Sequence, residues 1–271
     1  MTSDAVAPAL AALTLPDEVS VWCARPGTAP AFTHADDTPH YAASLIKLAV
    51  LRAAHRHLDL DTEVSVHDEF TSVHSGRYRT DQDYDNDDEP WYRLGHEVSL
   101  RWLCHRMICA SSNLATDLVL EAVGLPAVAS CAPAGLHIAR PIGDRTAAAA
   151  GLTNTVTAAA AGTLLAELVG AGDPWLLTPL REQIHRDEIP SALPPGTGVA
   201  NKNGWVDGVL HDVALIEPAD SPAYLLAVCT SGLAGEHARA LVHRVTAASF
   251  ADRHLLGAGP SPSQKERNAH R

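Results

Sequence analysis

Ser44 and Lys47 stand three positions apart in the stretch HYAASLIKLAVLRAAHRH, His40 to His57. Leu45, Ile46, Leu48, Ala49, Leu51 and Ala53 surround them, so the spacing predicts an apolar helix start and not a solvated face. Residues i and i+3 share a helix face, which lets the Ser44 hydroxyl and the Lys47 amine meet. A lysine withdrawn from water favours its neutral form, and a neutral amine can take the proton of a neighbouring hydroxyl. The pair would make Ser44 a nucleophile and Lys47 its base. S-x-x-K also turns up by chance, so the assignment needs partners elsewhere in the chain.

Two later stretches offer them. ASSNLATDLVL places Ser111 and Asn113 at a helix junction, and ANKNGWVDG places Lys202, Asn203 and Gly204 on a predicted edge strand. Alone, Lys202 reads as an ordinary turn lysine beside Asn-Gly. The three stretches run in the order S-L-I-K, S-S-N, K-N-G, with Ser111 67 residues after Ser44 and Lys202 91 residues after Ser111. Together they resemble the motif set of the class A serine β-lactamase and penicillin-binding-protein family. The likeness runs from about Val19 to Leu255. It takes in NLATDLVL after the second motif and NTVTAAAAGTLLAEL, which is similar to the family's D-T-T-T-P helix start.

That resemblance implies a role for each residue. Ser44 would be acylated, with Lys47 as its base, and Ser111 would pass a proton to the leaving atom. Lys202 would hold Ser111 and a substrate carboxylate electrostatically, and Asn113 would bond an acyl-side amide. Asn203 and Gly204 complete the third motif. The backbone N–H groups of Ser44 and Trp205 would form an oxyanion hole, a preorganised pair that favours the transition state. The implied substrate is a small molecule with an ester, amide or lactam carbonyl, and the mechanism uses no metal or other cofactor.

Several positions depart from the family pattern. Ser112 stands where the second motif usually has Asp, and Asn203 where the third has Thr. Class A enzymes carry a Glu on the Ω loop that positions the deacylating water. The corresponding stretch, ARPIGDRTAAAAGLTNTVT, has no Glu; Asp144 is its only carboxylate, and Asn154 replaces the usual Asp. Leu210 and His211 stand where many lactamases place an Arg for the substrate carboxylate. The acylation set is therefore complete while the deacylation base is changed, with Asp144 as the one candidate. Three functions fit: a lactamase-like serine hydrolase with weak or vestigial β-lactam hydrolysis, an intracellular esterase, amidase or acyltransferase of small-molecule metabolism, or a catalytically silent ligand-binding protein. The complete set of Ser44, Lys47, Ser111 and Lys202 argues against the last.

The elements that must position these residues follow from periodicity. VSVWCAR and APAFTHA read as a strand pair around Pro26-Gly27, and DVALIEP and AYLLAVCTS as two further strands. Helices are predicted from Ser44 to about His57, over SLRWLCHRMICAS and NLATDLVLEAVG, from Thr155 to Gly172, over DPWLLTPLREQIHR, and over GEHARALVHRVTAASFADRHL. Strands at both chain ends with helices between them predict an α/β (α+β) fold. Its central antiparallel sheet is flanked by helices and carries an inserted all-helical lobe. The expected domain spans 1–256, with an α/β lobe of 1–42 and 196–256 and a helical lobe of 43–195, and 257–271 is expected to be a disordered tail. The acidic stretch Ser75 to Glu97 is expected to be a long loop, with Trp91 and Tyr92 either folding over the cleft as an aromatic wall or tucked as a cluster against the lobe beside a solvated loop. Its Asp81, Asp83, Asp85 spacing hints at calcium, but Asn86 stands where that loop needs Gly and Tyr92 where it needs Glu.

Composition excludes other classes. A net charge of −12 with no basic stripe argues against nucleic-acid binding. No apolar run approaches the roughly 18 residues of a membrane helix. Fifteen histidines and five cysteines form no metal-ligand pattern. The first residues lack a basic segment before an apolar one, and the odd cysteine count suits a reducing compartment, so a cytoplasmic setting is expected. The pattern fixes no oligomeric state.

Overall fold

The computed structural model describes residues 7–257, so all but the first residue of the predicted tail lies outside the described residues. Five antiparallel strands form the main sheet, in the spatial order Gly198–Val206, Val209–Glu217, Tyr224–Ser231, Val19–Ala24, Phe32–His34. Val19–Ala24 pairs with Tyr224–Ser231 in the register Val21 opposite Val228, which brings the two ends of the chain together. Asp252, just past the closing helix Gly235–Ala251, accepts hydrogen bonds from Ala9 N (3.0 Å) and Leu10 N (2.9 Å) and ties them further.

Alternation along the strands splits the core in two. Trp22, Ala24, Val213, Leu215, Leu225 and Ala227 face the helices inserted between Phe32–His34 and Gly198–Val206. Val21, Cys23, Ala214, Ile216, Leu226 and Val228 face Leu241, Val242 and Val245 of the closing helix. Both faces are covered, so the three inner strands are buried along most of their length. All five cysteines are buried thiols, and burial pushes Cys23, Cys104 and Cys229 up to about 12.

The inserted helices begin where a side chain can satisfy their free N–H groups. Ser99 accepts from Trp102 N at the head of Leu100–Cys109, Ser112 from Ala115 N at the head of Asn113–Val123, and Thr157 from Ala160 N at the head of Ala158–Gly170. Gly124, at φ +82°, ends the second of these. The helix expected from Thr155 starts only at Ala158. Thr155–Val156 is instead drawn into a small sheet with His40–Tyr41 and Leu136–His137, which fixes the chain just ahead of Ser44. The acidic stretch is more ordered than its composition suggests: Arg77–Arg79 pairs with Glu69–Thr71, and Glu97–Ser99 with Glu63–Ser65.

The Ala158–Gly170 helix crosses the sheet at Trp22. A Cβ at Gly162 would sit 2.1 Å from Trp22 Cε3, inside a packed core with no room to move the indole. Gly162→Ala is expected to lower stability by about 1–3 kcal/mol, read as a drop in denaturation midpoint. A midpoint equal to that of the unmutated chain would refute this packing.

Candidate active site

Ser44 sits in a single 3-10 turn, Ala43–Leu45, that leads directly into the helix Ile46–His57. The three-residue offset puts Lys47 Nζ 3.0 Å from Ser44 Oγ. The Leu100–Cys109 helix then delivers the Ser111 turn to the same point. Lys47 Nζ lies 2.7 Å from Ser111 O, 3.0 Å from Ser111 Oγ and 2.9 Å from Asn113 Oδ1. Ser111 Oγ is 3.1 Å from Ser44 Oγ and 3.0 Å from Lys202 Nζ. The four side chains expected from the motifs therefore converge, with both lysines fully buried.

Protonation follows from this geometry. Ser111 O and Asn113 Oδ1 can only accept, so they take two N–H bonds from Lys47 whatever its charge. The third position on nitrogen faces the two hydroxyls, where a lone pair would serve as well as a proton. Burial pulls the Lys47 amine down to about 7, against the opposing pull of the Asp85 and Asp117 carboxylates. Lys202 is lowered well below the usual lysine range by burial and by the Lys47 charge. Its N–H groups go to Ser111 Oγ, Asn203 O (2.7 Å) and, at 3.4 Å, Asn203 Oδ1.

Two residues ahead of the reacting groups adopt left-handed backbone, Ala43 at φ +45° and Ser111 at φ +59°. Such conformations cost about 1–3 kcal/mol and persist only where surroundings hold them. At Ser111 the holding group is the Lys47 ammonium or amine on its carbonyl. Gly204 explains the glycine of the third motif: a Cβ there would lie 2.9 Å from Ser44 N and 3.2 Å from Ala43 Cβ. Only a glycine lets the Gly198–Val206 strand approach the nucleophile this closely.

Three carboxylates that the motifs do not reveal build the rest of the site. Asp85 Oδ1 accepts from Asn113 N (2.8 Å), and its Oδ2 accepts from Leu114 N (2.8 Å), Trp91 Nε1 (3.0 Å) and Ser112 Oγ (3.2 Å). A carboxylate from the acidic loop thus sits at the N-terminus of the Asn113–Val123 helix, beside Ser112, the position where the family motif has its Asp. Asp117, one turn beyond Asn113, accepts from Ile142 N (3.1 Å), Gly143 N (3.0 Å) and Tyr78 Oη (3.0 Å). Burial raises its carboxyl to about 7 against those hydrogen bonds and the Lys47 charge. Glu188 accepts from Asn203 Nδ2 at 3.1 Å. Asp117 lies four positions after Asn113 in a helix that also carries Glu121, and like Asp85 and Glu188 it had no local signal to single it out.

Asp144 does not reach the site. It is fully buried, with Oδ1 capping the short helix Arg145–Ala149 through Ala147 N (2.9 Å) and accepting from Ser72 Oγ (3.0 Å), while Oδ2 accepts from Val73 N (2.9 Å). Its place before an alanine run was the signal of an N-cap. From its loop the cleft is lined by Ile142, Gly143 and Arg145. That loop is closed by Asn154, which accepts from Ala139 N and Arg140 N and donates to Arg140 O. The Arg140 guanidinium adds bonds to Leu152 O, Pro141 O, Ile142 O and Tyr41 Oη.

The cleft over Ser44 has a volume of about 840 Å³. Trp91 and Tyr92 do not wall it: Trp91 is buried on Asp85, and Tyr92 is exposed elsewhere. Tyr84, stacked under the Arg145 guanidinium at 4.1 Å, lines one side, and Trp205, edge-on to His185 at 4.9 Å, lines the other. His211 is buried, with Nε2 donating to Tyr41 O (2.8 Å) and Nδ1 accepting from Thr230 N (3.2 Å). Burial lowers it to about 4, so it stays neutral at physiological pH.

Known structures share this arrangement of chain. A β-lactamase from Sphaerobacter thermophilus DSM 20745 superposes with a TM-score of 0.67 at 24% identity, over 94% of this chain and 98% of that one. A class A β-lactamase from Mycobacterium abscessus gives 0.68 at 18% identity, over 91% and 98%. PBP-A gives 0.70 at 15% identity, over 92% and 95%. No curated protein matches the sequence. These identities establish a shared fold. The profile of the beta-lactamase enzyme family matches residues 5–251, nearly the whole chain, and on that match the chain belongs to this family.

Proposed function

We propose that this chain is a serine hydrolase or acyltransferase that forms an acyl-enzyme on Ser44 and releases a β-lactam acyl group slowly. The observation that carries the reading is the closed triangle of Ser44 Oγ, Lys47 Nζ and Ser111 Oγ, with sides of 3.0, 3.0 and 3.1 Å. Neutral Lys47 takes the Ser44 proton as Oγ attacks the carbonyl carbon. The N–H groups of Ser44 and Trp205 receive the oxyanion. On collapse, Ser111 Oγ gives its proton to the leaving nitrogen, oxygen or sulfur and recovers one from the Lys47 ammonium. The products are a Ser44 ester, a protonated leaving group and Lys47 in its starting state. A buried charge-bearing network of this kind also argues against a silent binding protein, which would gain nothing from desolvating two lysines.

Release needs a water and a base on the other face of the ester. The loop that would supply it offers the apolar side chain of Ile142 to the cleft, and its one carboxylate, Asp144, is spent on backbone and Ser72. Asp85 also lines the cleft, but its oxygens already hold five donors. This favours a long-lived acyl-enzyme, and with it substrates that bring their own nucleophile. One of the structural neighbours is a variant of PBP-A described as an acyl-enzyme complex with penicillin G, at 18% identity and TM-score 0.67.

Mixing with penicillin G is expected to accumulate a covalent adduct on Ser44, seen by intact-protein mass spectrometry and peptide mapping. Ile142→Glu, which puts a carboxylate where that half-buried side chain lines the cleft, is expected to speed loss of the adduct by about tenfold or more, within the range for a positioned base. Rapid hydrolysis with no adduct would show that another group already activates the water.

The base sets the pH dependence. Only neutral Lys47 can accept the proton, so the acylation rate should climb about tenfold per pH unit below its value near 7 and level off above it. Lys47→Ala is expected to lose about 100-fold or more in that rate. The Asp85 carboxylate holds the Lys47 value up, so Asp85→Asn should move the ascending limb to lower pH, whatever happens to its height. A limb that stays in place in Asp85→Asn, or acylation by Lys47→Ala at the rate of the unmutated chain, would remove Lys47 as the base.

A further inference from the structure

We propose that Glu188 sets the charge selectivity of the cleft at its leaving-group end, so that this chain is acylated fastest by donors whose leaving group is cationic, more slowly by uncharged ones, and slowest by those carrying a carboxylate there, penicillins included. The inference rests on the acyl-enzyme reading above and reverses the charge that the motif resemblance implies for the substrate.

The direction of the leaving group comes from Ser111. Its hydroxyl touches both Ser44 Oγ and Lys202 Nζ, so the proton leaves toward the end of the cleft where Lys202 and Asn203 lie. A carboxylate arriving there would need free N–H groups or an unspent cation. Lys202 has neither to give, since its contacts to Ser111 Oγ, Asn203 O and Asn203 Oδ1 account for all three protons of an ammonium. Asn203 is spent on both sides, with Oδ1 toward Lys202 and Nδ2 toward Glu188 Oε2 at 3.1 Å. His211 holds a neutral ring between Tyr41 O and Thr230 N.

The cleft wall at this end is instead a carboxylate. Glu188 lines the cavity and is 4% exposed, so water screens its charge poorly. Asp187 and Asp207 line the same cavity. Arg239 is the one arginine or lysine of this wall; its Nη2 lies 3.5 Å from Glu188 Oε1 and its Nε has no partner, so one cation stands against the three carboxylates. Arg145, the other arginine of the cavity, stacks on Tyr84 and pairs with Asp81 at 3.7 Å. An ammonium placed beside Asn203 meets a buried carboxylate within reach, whereas a carboxylate there meets three like charges with Arg239 as the one counter-charge.

Three thioesters of phenylacetic acid test this on the whole chain, with thiocholine, 2-mercaptoethanol and 3-mercaptopropionate as cationic, neutral and anionic leaving groups. The expected order of kcat/KM is cationic, then neutral, then anionic, with about 100-fold or more between the extremes at low salt. Glu188→Gln should shrink the cationic-to-anionic ratio by about tenfold or more. The ratio is read within each variant, so a uniform loss of activity cancels. Equal or better use of the anionic ester, or a ratio that Glu188→Gln leaves unchanged, would overturn the proposal; loss of an anionic preference in Arg239→Gln would then name the true reader. Labelling of Ser44 by an uncharged fluorophosphonate keeps the acyl-enzyme reading separate. If Ser44 stays unlabelled that reading falls, and the same three compounds with the carbonyl reduced to methylene test charge alone by calorimetry. Tighter binding of the cationic analogue then supports Glu188, and tighter or equal binding of the anionic one overturns it.

Discussion

A primary amine with no access to water is the constraint around which this molecule is arranged. Lys47 is fully buried, and a charged ammonium in such a place is costly unless paired and hydrogen-bonded. The chain meets that demand with acceptors drawn from three places: a hydroxyl one turn back in the same helix, the carbonyl and hydroxyl of Ser111, and the amide oxygen of Asn113. Two carboxylates farther off, Asp85 and Asp117, partly offset the desolvation without touching the nitrogen. The balance leaves the amine near 7, where either protonation state is within reach at the cost of a small free energy. A direct carboxylate partner would have fixed the charge and removed the base.

The same constraint accounts for the loops. Ser111 holds a left-handed backbone because its carbonyl and hydroxyl must both face Lys47, and the helix that follows must start immediately at Asn113. In this chain the carboxylate for that helix N-terminus comes from Asp85, twenty-eight residues earlier, instead of from the motif itself. Ser112 accepts the short-range cap from Ala115 N and donates its hydroxyl to that same Asp85 carboxylate. The acidic stretch is thereby recruited as a structural part of the catalytic turn, and Trp91 packs its indole N–H onto the same carboxylate. Moving the charge from the motif to a distant loop makes the turn depend on tertiary contact where a local one would serve.

What was legible in the sequence, and what was not, divides along that line. Ser44 and Lys47 are joined by helix geometry, and Lys202, Asn203 and Gly204 by strand geometry; neither run stood out alone, and the order of the three motifs is what announced them. The sheet strands and the long helices were equally plain, since period-2 and period-3.6 patterns survive any tertiary setting. Asp85, Asp117 and Glu188 act across gaps that no local period records; each looked like one more charge in a polar or helical stretch. Asp144 failed for the opposite reason. It had the right chemistry in the right loop, but an aspartate ahead of RTAAA turns to cap that helix, and capping takes the carboxylate out of the cleft. The two-residue strands at His40, Leu136 and Thr155 were invisible because nothing but mutual pairing makes them strands.

Acylation and release place different demands on the cleft, and the structure meets them unequally. Of the groups proposed to acylate, Ser44 and Lys47 sit in the 3-10 turn and first turn that open one helix, Ser111 in the turn ahead of another, and Lys202 in the middle of a strand. Release depends on the loop 139–154, which is held shut by Asn154 and the Arg140 guanidinium against backbone carbonyls. That closure aims Ile142 at the cleft and Asp144 into the protein, and Asp117 locks the result by holding the amides of Ile142 and Gly143. On the acyl-enzyme reading proposed above, an apolar side chain at that wall offers no partner to the water that hydrolysis needs. The loop is therefore held by a dense set of backbone hydrogen bonds, and on the proposed reading that rigidity suits transfer of the acyl group to an incoming nucleophile better than its loss to solvent.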